Sequence, residues 1–259
     1  MQSKHYMVVH GMSHGAWCWY KLKPLLESAG HRVTALDMGA SGVNMRPVEE
    51  LRSFRDYNAP LLSFMSSLPE DDKVVLVGHS LGGINIAFAM EEFPEKVSAA
   101  VFVAALVPDT VNKPSFFLDE LFKKIGAANG WLDCQFSTFG SPDEPVTVIS
   151  FGPKFLSLLY DSSPIEDYEL AKMLTRPLPN YVTDLGKAEK LSDGKYGSVR
   201  RVYVICKEDK AIPDELVGQM IEWNGLKEVI ELQGADHMPM LSNPQQLCDC
   251  LVQIAVENP

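Results

Sequence analysis

The sequence has no long apolar run and carries fewer basic than acidic residues. No stretch of the 259 residues reaches the roughly 20 apolar residues of a membrane-spanning helix. Residues 1–6 lead straight into a strand without the apolar region of a signal peptide, so we expect a cytoplasmic protein. The formal net charge of -11 disfavours binding to nucleic acid or to an anionic membrane. The expected partner is therefore a small molecule.

The five cysteines are odd in number and form neither a CxxC pair nor the spacing of a metal site. We therefore predict free thiols that serve mainly in packing, within a reducing compartment, and no metal centre. The sequence also lacks internal repeats and low-complexity segments. At 28.7 kDa and 46% hydrophobic residues it can bury a large core, and one domain with an inserted subdomain is favoured over two full domains.

The motif Gly78-x-Ser80-x-Gly82 lies between a predicted strand and a predicted helix. Residues 74–77 are four consecutive apolar residues, which is typical of a strand buried on both faces, and helical spacing begins after Ser80. At such a turn a serine adopts a strained backbone and projects its hydroxyl, as in a nucleophile elbow. The alternative is an ordinary glycine-rich loop with a helix-capping serine, which the order of the other candidate residues disfavours.

Apolar strands alternate with helical patterns along most of the chain. The helical segments include 17–29, 49–68 with a kink or break at Pro60, and a terminal helix that Asn243 caps and Pro244 opens. The pattern predicts an α/β protein with a six-stranded, mostly parallel sheet flanked by helices, and with ligands bound beyond the carboxyl ends of the strands. The predicted strands are 6–9, 32–36, 74–77, 99–106, 201–206 and 227–232.

The alternation stops between residues 108 and 185, where prolines and scattered aromatics replace it. We predict a cap subdomain over 108–185, inserted into a core formed by 1–107 and 186–259. A continuation of the sheet would need strands, and the pattern shows none. The capping-box sequence that begins at Ser163, with Pro164 at the first helical position, predicts a helix to about residue 175.

A serine nucleophile needs a base, and the base needs an acid that orients it. His237 lies in a loop directly after a late core strand, and Asp209 follows the strand 201–206 by three residues. We predict a triad of Ser80, Asp209 and His237, with Glu208 as the fallback acid. Asp236 is adjacent to His237, so its side chain should point away and shape the loop. The chain order of this triad is that of the α/β-hydrolases and differs from the common serine-protease orders.

An oxyanion hole in this fold uses the N–H of the residue after the nucleophile and one from the loop after an early strand. These rules predict Leu81 and Met12 as the two donors. We interpret His79 as a packing residue, and His10 and His14 mainly as loop structure, with a place in the pocket lining as the alternative for His14.

Several segments resemble the plant methylesterase family of α/β-hydrolases, which is related to the plant hydroxynitrile lyases. They are VHG at 9–11, GAWCWYKLKPLLE at 15–27, VGHSLGG at 77–83, GSV at 197–199 and GADHM at 234–238. The resemblance implies a cofactor-free carboxylesterase that cleaves methyl esters of small acids and commonly forms a homodimer.

The resemblance also implies which residues bind substrate. The lyases typically carry Thr or Asn at the position of Gly11 and Lys at that of Met238, so this chain has the esterase-like residues. Met238 offers no positive charge for a departing cyanide. For Trp131 and the other positions in the insertion, ordinary packing is the alternative. The expected substrate-binding residues are Gly11, Met12, Leu106, Trp131, Phe136, Leu178, Tyr181 and Met238.

Three functions are compatible with these residues. The leading hypothesis is a carboxylesterase that works through an acyl-enzyme on Ser80. One alternative is a hydroxynitrile lyase that uses the same triad for acid and base chemistry. The other is a hydrolase-fold receptor that binds a small acid with slow or absent turnover. The sequence does not determine the acyl group.

Overall fold

A computed structural model describes residues 3–256, which form nine strands and ten α-helices. The strands are β1 (His5–Val9), β2 (Arg32–Leu36), β3 (Val74–His79), β4 (Val97–Val103), β5 (Gln135–Ser141), β6 (Glu144–Ser150), β7 (Leu178–Pro179), β8 (Arg201–Cys206) and β9 (Glu228–Leu232). The helices are α1 (Leu22–Ser28), α2 (Phe54–Ser67), α3 (Gly82–Glu92), α4 (Phe116–Ala127), α5 (Pro153–Leu159), α6 (Ile165–Leu174), α7 (Val182–Lys187), α8 (Asp214–Trp223), α9 (Pro239–Ser242) and α10 (Pro244–Val256).

The predicted six-stranded sheet is confirmed. Its order is β2-β1-β3-β4-β8-β9, and every neighbouring pair is parallel. The central strands β1 and β3 are buried at every position, because helices cover both faces of a parallel sheet. Since all six strands run in one direction, the loops after β1, β3, β8 and β9 meet at one edge of the sheet.

Two predicted helices begin later than expected. The segment 17–29 divides into a 3-10 turn over Ala16–Trp19 and the helix α1. In the segment 49–68, α2 begins only at Phe54, because Ser53 and Asp56 form a capping box. Pro60 does not split α2, which continues through it to Ser67.

The segment 108–185, called the insertion below, contains the three-stranded sheet β5-β6-β7. The expectation that this segment has no strands was therefore wrong. The hairpin of β5 and β6 is antiparallel, and β5 is exposed at almost every position. Such a strand needs no apolar alternation, so it has little sequence signal. The predicted boundary at residue 185 falls inside α7.

The helix α6 spans nearly the predicted residues, but Ser163 does not cap it. The Ser163 hydroxyl instead donates a hydrogen bond of 2.8 Å to the Asp236 carboxylate, which is fully buried. A buried carboxylate gains more from the hydroxyl as a donor than an exposed helix N–H would gain from its oxygen as an acceptor, because water can solvate the exposed N–H.

All five cysteines are free thiols, as predicted. None of the helices in residues 3–256 combines the length and apolar character needed to cross a membrane.

Candidate active site

Ser80 lies at the junction of β3 and α3 with a backbone φ of 54°. This left-handed conformation is uncommon for a residue with a side chain. Two backbone hydrogen bonds hold this conformation. The Ser80 N–H donates to the Val103 carbonyl at 3.3 Å, and the Ser80 carbonyl accepts from the Leu106 N–H at 3.1 Å. The backbone at this turn is thus held in a strained conformation by the neighbouring loop.

Three glycines let the strand and helix approach closely around Ser80. A Cβ on Gly78 would lie 2.6 Å from the Gly82 carbonyl oxygen, and one on Gly82 would lie 2.6 Å from the Val9 oxygen. A Cβ on Gly83 would lie only 2.1 Å from the Leu106 oxygen. Each contact is with backbone, which cannot easily move aside. A larger residue at any of these positions would therefore shift the turn that carries Ser80.

Asp209 and His237 are joined by a hydrogen bond, 2.9 Å from Oδ2 to Nδ1, and both side chains are buried. The other Asp209 oxygen accepts from the N–H groups of Ala211 and Ile212, at 2.7 and 3.3 Å, which fixes the carboxylate. An ionised carboxylate can only accept, so the proton lies on Nδ1 of His237 and Nε2 is the basic nitrogen.

His79 connects the turn at Ser80 to the loop of His237. Its Nε2 lies 2.7 Å from the His237 carbonyl oxygen, and the two imidazole rings are 4.8 Å apart. Because that oxygen only accepts, Nε2 of His79 is the donor. His79, expected to serve in packing, therefore also binds the backbone of His237.

Ser80 and His237 line the same cavity. Within residues 3–256 no hydrogen bond joins the Ser80 hydroxyl to the imidazole. Such bonds are often long in unliganded enzymes and shorten when the substrate is bound.

Met12 and Leu81 follow β1 and β3, and both line the cavity beside Ser80. In the part of the chain that the structure describes, neither backbone N–H donates a hydrogen bond. Nδ1 of His10 lies 2.8 Å from the Gly11 carbonyl oxygen, which fixes the peptide plane that carries the Met12 N–H. Gly11 itself has no room for a side chain, because a Cβ would lie 2.9 Å from that of Ser80.

Of the expected substrate-binding residues, Gly11, Met12, Leu106 and Trp131 line the cavity. The other four, Phe136, Leu178, Tyr181 and Met238, do not line the cavity, so the expectation was wrong for them.

Phe136 is half exposed on β5 and contacts Trp131 by its edge, with ring centroids 5.3 Å apart. Leu178 is buried in β7, where it pairs with Ile149. Both positions belong to the small sheet of the insertion, and neither lines the cavity.

Tyr181 stacks on Tyr57 at 5.4 Å, within the core around α2. Met238 is fully buried in the cluster that packs against α10. Its position next to His237 in sequence does not bring its side chain into the cavity lining.

Apart from His14, for which pocket lining was the alternative, the rest of the cavity wall was not predicted from the sequence. Four of its residues share one face of α4 at the spacing i, i+3, i+4, i+7, which is the helical signal that could have found them. The additional lining residues are His14, Leu118, Leu121, Phe122, Ile125, Phe151, Phe155, Leu159, Ala211 and Ile212. No Lys, Arg, Asp or Glu among residues 3–256 lines the cavity, so its wall is apolar apart from histidines and Ser80.

Residues 7–249 match the model of the alpha/beta hydrolase family. The chain is 52% identical over 255 residues to salicylic acid-binding protein 2 of Nicotiana tabacum, with 98% of each sequence covered. It is 48% identical to methylesterase 1 of Arabidopsis thaliana, covering 98% of this chain and 97% of the relative. The crystal structure of polyneuridine aldehyde esterase, an enzyme of Rauvolfia serpentina, has a TM-score of 0.93 at 48% identity and covers 98% of this chain and 100% of that one.

The chain belongs to the plant methylesterases of the α/β-hydrolase family. The fold and the resemblance inferred from the sequence are thereby confirmed.

Asp236 ties the His237 loop of the hydrolase to the insertion. One carboxylate oxygen accepts from the Met238 N–H at 2.8 Å. The other accepts from the Ser162 N–H at 3.0 Å and from the Ser163 hydroxyl at 2.8 Å. Asp236 thus shapes the loop, as expected, and also joins it to residues of the insertion.

Burial lowers the pKa values of His10, His14 and His79 in the folded hydrolase, that of His14 to about 4. Between the folded value and the ordinary value near 6.5, the unfolded chain binds more protons than the folded one. The contribution of these histidines to the free energy of unfolding is therefore fully present above about pH 6.5, and it falls as the pH drops toward 4.

We expect the hydrolase to unfold at a lower urea concentration at about pH 5 than at about pH 7. His14→Asn should show a shallower pH dependence, because it removes one of these groups. Unfolding midpoints in urea, followed by circular dichroism, measure both effects. An equal or higher midpoint at the acidic pH would contradict the buried neutral histidines.

Proposed function

We propose that this hydrolase is a carboxylesterase that cleaves methyl esters of small apolar acids through a triad of Ser80, His237 and Asp209. The supporting observation is the 2.9 Å hydrogen bond between Asp209 and His237, made at the cavity that Ser80 also lines. A nucleophile, a base with its free Nε2, and an acid that orients the base are the three parts that acyl transfer needs.

In the first step, Nε2 of His237 takes the proton of the Ser80 hydroxyl while its oxygen attacks the ester carbonyl. The charge that develops on the carbonyl oxygen is stabilised by the N–H groups of Met12 and Leu81. Asp209 stabilises the imidazolium by accepting from its Nδ1. His237 then returns the proton to the methoxide, and methanol leaves.

The second step hydrolyses the acyl-enzyme. Water loses a proton to His237 as it attacks the acyl carbon, and the Ser80 oxygen leaves with that proton. The free acid is the product. Both steps form their tetrahedral intermediate at the same two N–H groups, so one oxyanion hole serves the whole cycle.

The cavity wall favours an uncharged substrate with an apolar acyl group. It contains aliphatic and aromatic side chains from α4 and α5 and no ionised carboxylate or ammonium group among residues 3–256. Burial of an unpaired carboxylate is unfavourable, so the neutral ester should bind more readily than a dicarboxylate or an amino acid ester. We infer that the insertion acts as a cap by supplying these walls.

A panel of methyl esters tests the proposal, with methyl salicylate, methyl jasmonate and methyl indole acetate ranked by kcat/KM. We expect turnover of at least one aromatic or alicyclic ester and much lower turnover of short polar esters. The absence of hydrolysis, combined with tight binding of a small acid, would support the receptor hypothesis instead.

The same preparation should be incubated with mandelonitrile and assayed for benzaldehyde and cyanide. Because residue 238 is a buried methionine, no ammonium group is available there to stabilise cyanide. We expect no release above that of Ser80→Ala. Faster release would overturn the esterase assignment in favour of the lyase.

We also propose a cytoplasmic homodimer. The five free thiols support a reducing compartment, and the family resemblance supports the dimer. Fluorescence microscopy of a tagged chain and sedimentation velocity of the purified protein test the two parts. A monomer at micromolar concentration would contradict the second.

A further inference from the structure

The backbone of Met12 lies between two histidines that bind consecutive carbonyl groups. Nδ1 of His10 lies 2.8 Å from the Gly11 oxygen, and Nδ1 of His14 lies 2.8 Å from the Met12 oxygen. Because a carbonyl only accepts, both Nδ1 atoms carry protons, and both Nε2 atoms are acceptors. The two peptide planes that flank the Cα of Met12 are therefore both held by imidazole groups.

The two histidines differ in what holds them. Nε2 of His10 accepts from the N–H of Met38, in the loop after β2 of the core. Nε2 of His14 lies 2.8 Å from the hydroxyl of Tyr160, which closes α5 of the insertion. The core thus fixes one side of Met12, and the insertion fixes the other.

The His14 ring is fully constrained. It stacks on Trp17 at 5.4 Å and on Tyr160 at 5.9 Å, with interplanar angles of 25° and 13°. Both of its nitrogen atoms have partners, so neither is free to exchange a proton with a substrate. Although His14 lines the cavity, its ring nitrogens bind the Met12 carbonyl and the Tyr160 hydroxyl.

A second contact couples the same loop to the insertion. Ser13 has a backbone φ of 64°, and its carbonyl accepts from the N–H of Arg176 at 2.9 Å. The insertion thus binds the Ser13 carbonyl directly, through Arg176. It binds the Met12 carbonyl indirectly, through His14 and Tyr160. A left-handed residue at this point persists only because its surroundings hold it.

We propose that His14 and Tyr160 are positioning residues through which the insertion holds the Met12 N–H in the orientation that the oxyanion requires. This inference rests on the esterase function proposed above. The Tyr160 hydroxyl fixes His14, and His14 fixes the Met12 carbonyl. Loss of the Tyr160 hydroxyl would leave the cavity lining in place but allow the Met12 N–H to tilt, which affects the transition state more than the bound ester.

The test compares three variants on the best methyl ester. Tyr160→Phe keeps the stacked ring and loses only the hydroxyl, and should lower kcat about tenfold with KM changed less than about twofold. His14→Phe should lower kcat about 100-fold. His14→Asn, whose amide can replace the Nδ1 donor, should recover about tenfold of that loss.

Ligand binding gives a second readout. Phenylboronic acid forms a tetrahedral adduct on the serine, so its affinity should fall in parallel with kcat across the variants. Acetophenone has a similar size without forming a stable adduct, and its affinity should stay within about twofold. Unchanged kcat in Tyr160→Phe and His14→Phe would overturn the inference. A rise in KM alone, equal losses for both ligands, or His14→Asn no better than His14→Phe would also overturn it.

The two proposals fail in different ways. If the wild-type protein binds phenylboronic acid but hydrolyses no ester, the esterase function falls, while the affinities of the variants still decide the role of His14. If the wild type hydrolyses esters and the variants do so equally well, only the positioning role falls.

Discussion

Replacing Ser80 by alanine is expected to lower kcat/KM for methyl esters by about 10⁴-fold or more. The substitution removes only the hydroxyl oxygen, which is the proposed nucleophile. The backbone bonds of residue 80 to Val103 and Leu106 are unaffected, so the turn should keep its shape. Rates measured with the best ester of the panel, and circular dichroism of both proteins, give the comparison.

Ser157→Ala is the matched control, because Ser157 is exposed on α5 and its hydroxyl donates to the nearby Lys154 carbonyl. It should change kcat/KM less than about twofold. Labelling with an organophosphate, followed by mass analysis of the peptides, should modify Ser80 in the wild type and leave Ser80→Ala unmodified. Turnover by Ser80→Ala above about one per cent of wild type would refute the nucleophile assignment.

The second large effect is expected for Asp209→Asn, with a fall in kcat of about 10³- to 10⁴-fold. The amide oxygen can still accept from Ala211 and Ile212, so the loop should remain folded. The amide N–H group, however, would face Nδ1 of His237, where the carboxylate now accepts a hydrogen bond. This favours the wrong tautomer, in which Nε2 carries the proton and cannot take one from the serine.

Glu208→Gln separates this role from a general effect of negative charge. Glu208 is exposed, and its backbone N–H bonds to the Ala235 carbonyl whatever its side chain. Its kcat should stay within about twofold of wild type. Stability in urea should also be similar for both variants. A large loss in Glu208→Gln with an active Asp209→Asn would move the acid of the triad to residue 208.

The sequence predicted the sheet and the positions of Ser80, Asp209 and His237 at the ends of its strands, because these depend on short-range patterns. An apolar run, a glycine frame and a polar residue just after a strand are visible within ten residues or so. The parallel order of the strands then brings distant loops to one edge. The expected hydrogen bond between Asp209 and His237 is present, whereas within residues 3–256 none joins Ser80 to His237.

The insertion was harder to predict because its contacts join residues far apart in the chain. Ser163 has the sequence signature of a helix cap, yet its hydroxyl binds Asp236, which lies 73 residues later. The strand β5 has no apolar face, so only its pairing with β6 defines it. Phe136, Leu178 and Tyr181 were expected in the cavity, but they contact Trp131, Ile149 and Tyr57 and do not line it.

Asp236 has a consequence for exchanging insertions between related hydrolases. One oxygen of its carboxylate accepts hydrogen bonds from donors at positions 162 and 163, and a transplanted insertion without those donors would leave that buried oxygen without these partners, one residue from His237. A chimaera that keeps the cavity wall but loses these two donors would misfold at the loop or misalign the imidazole. An exchanged insertion must therefore supply both the cavity wall and the two hydrogen-bond donors to Asp236.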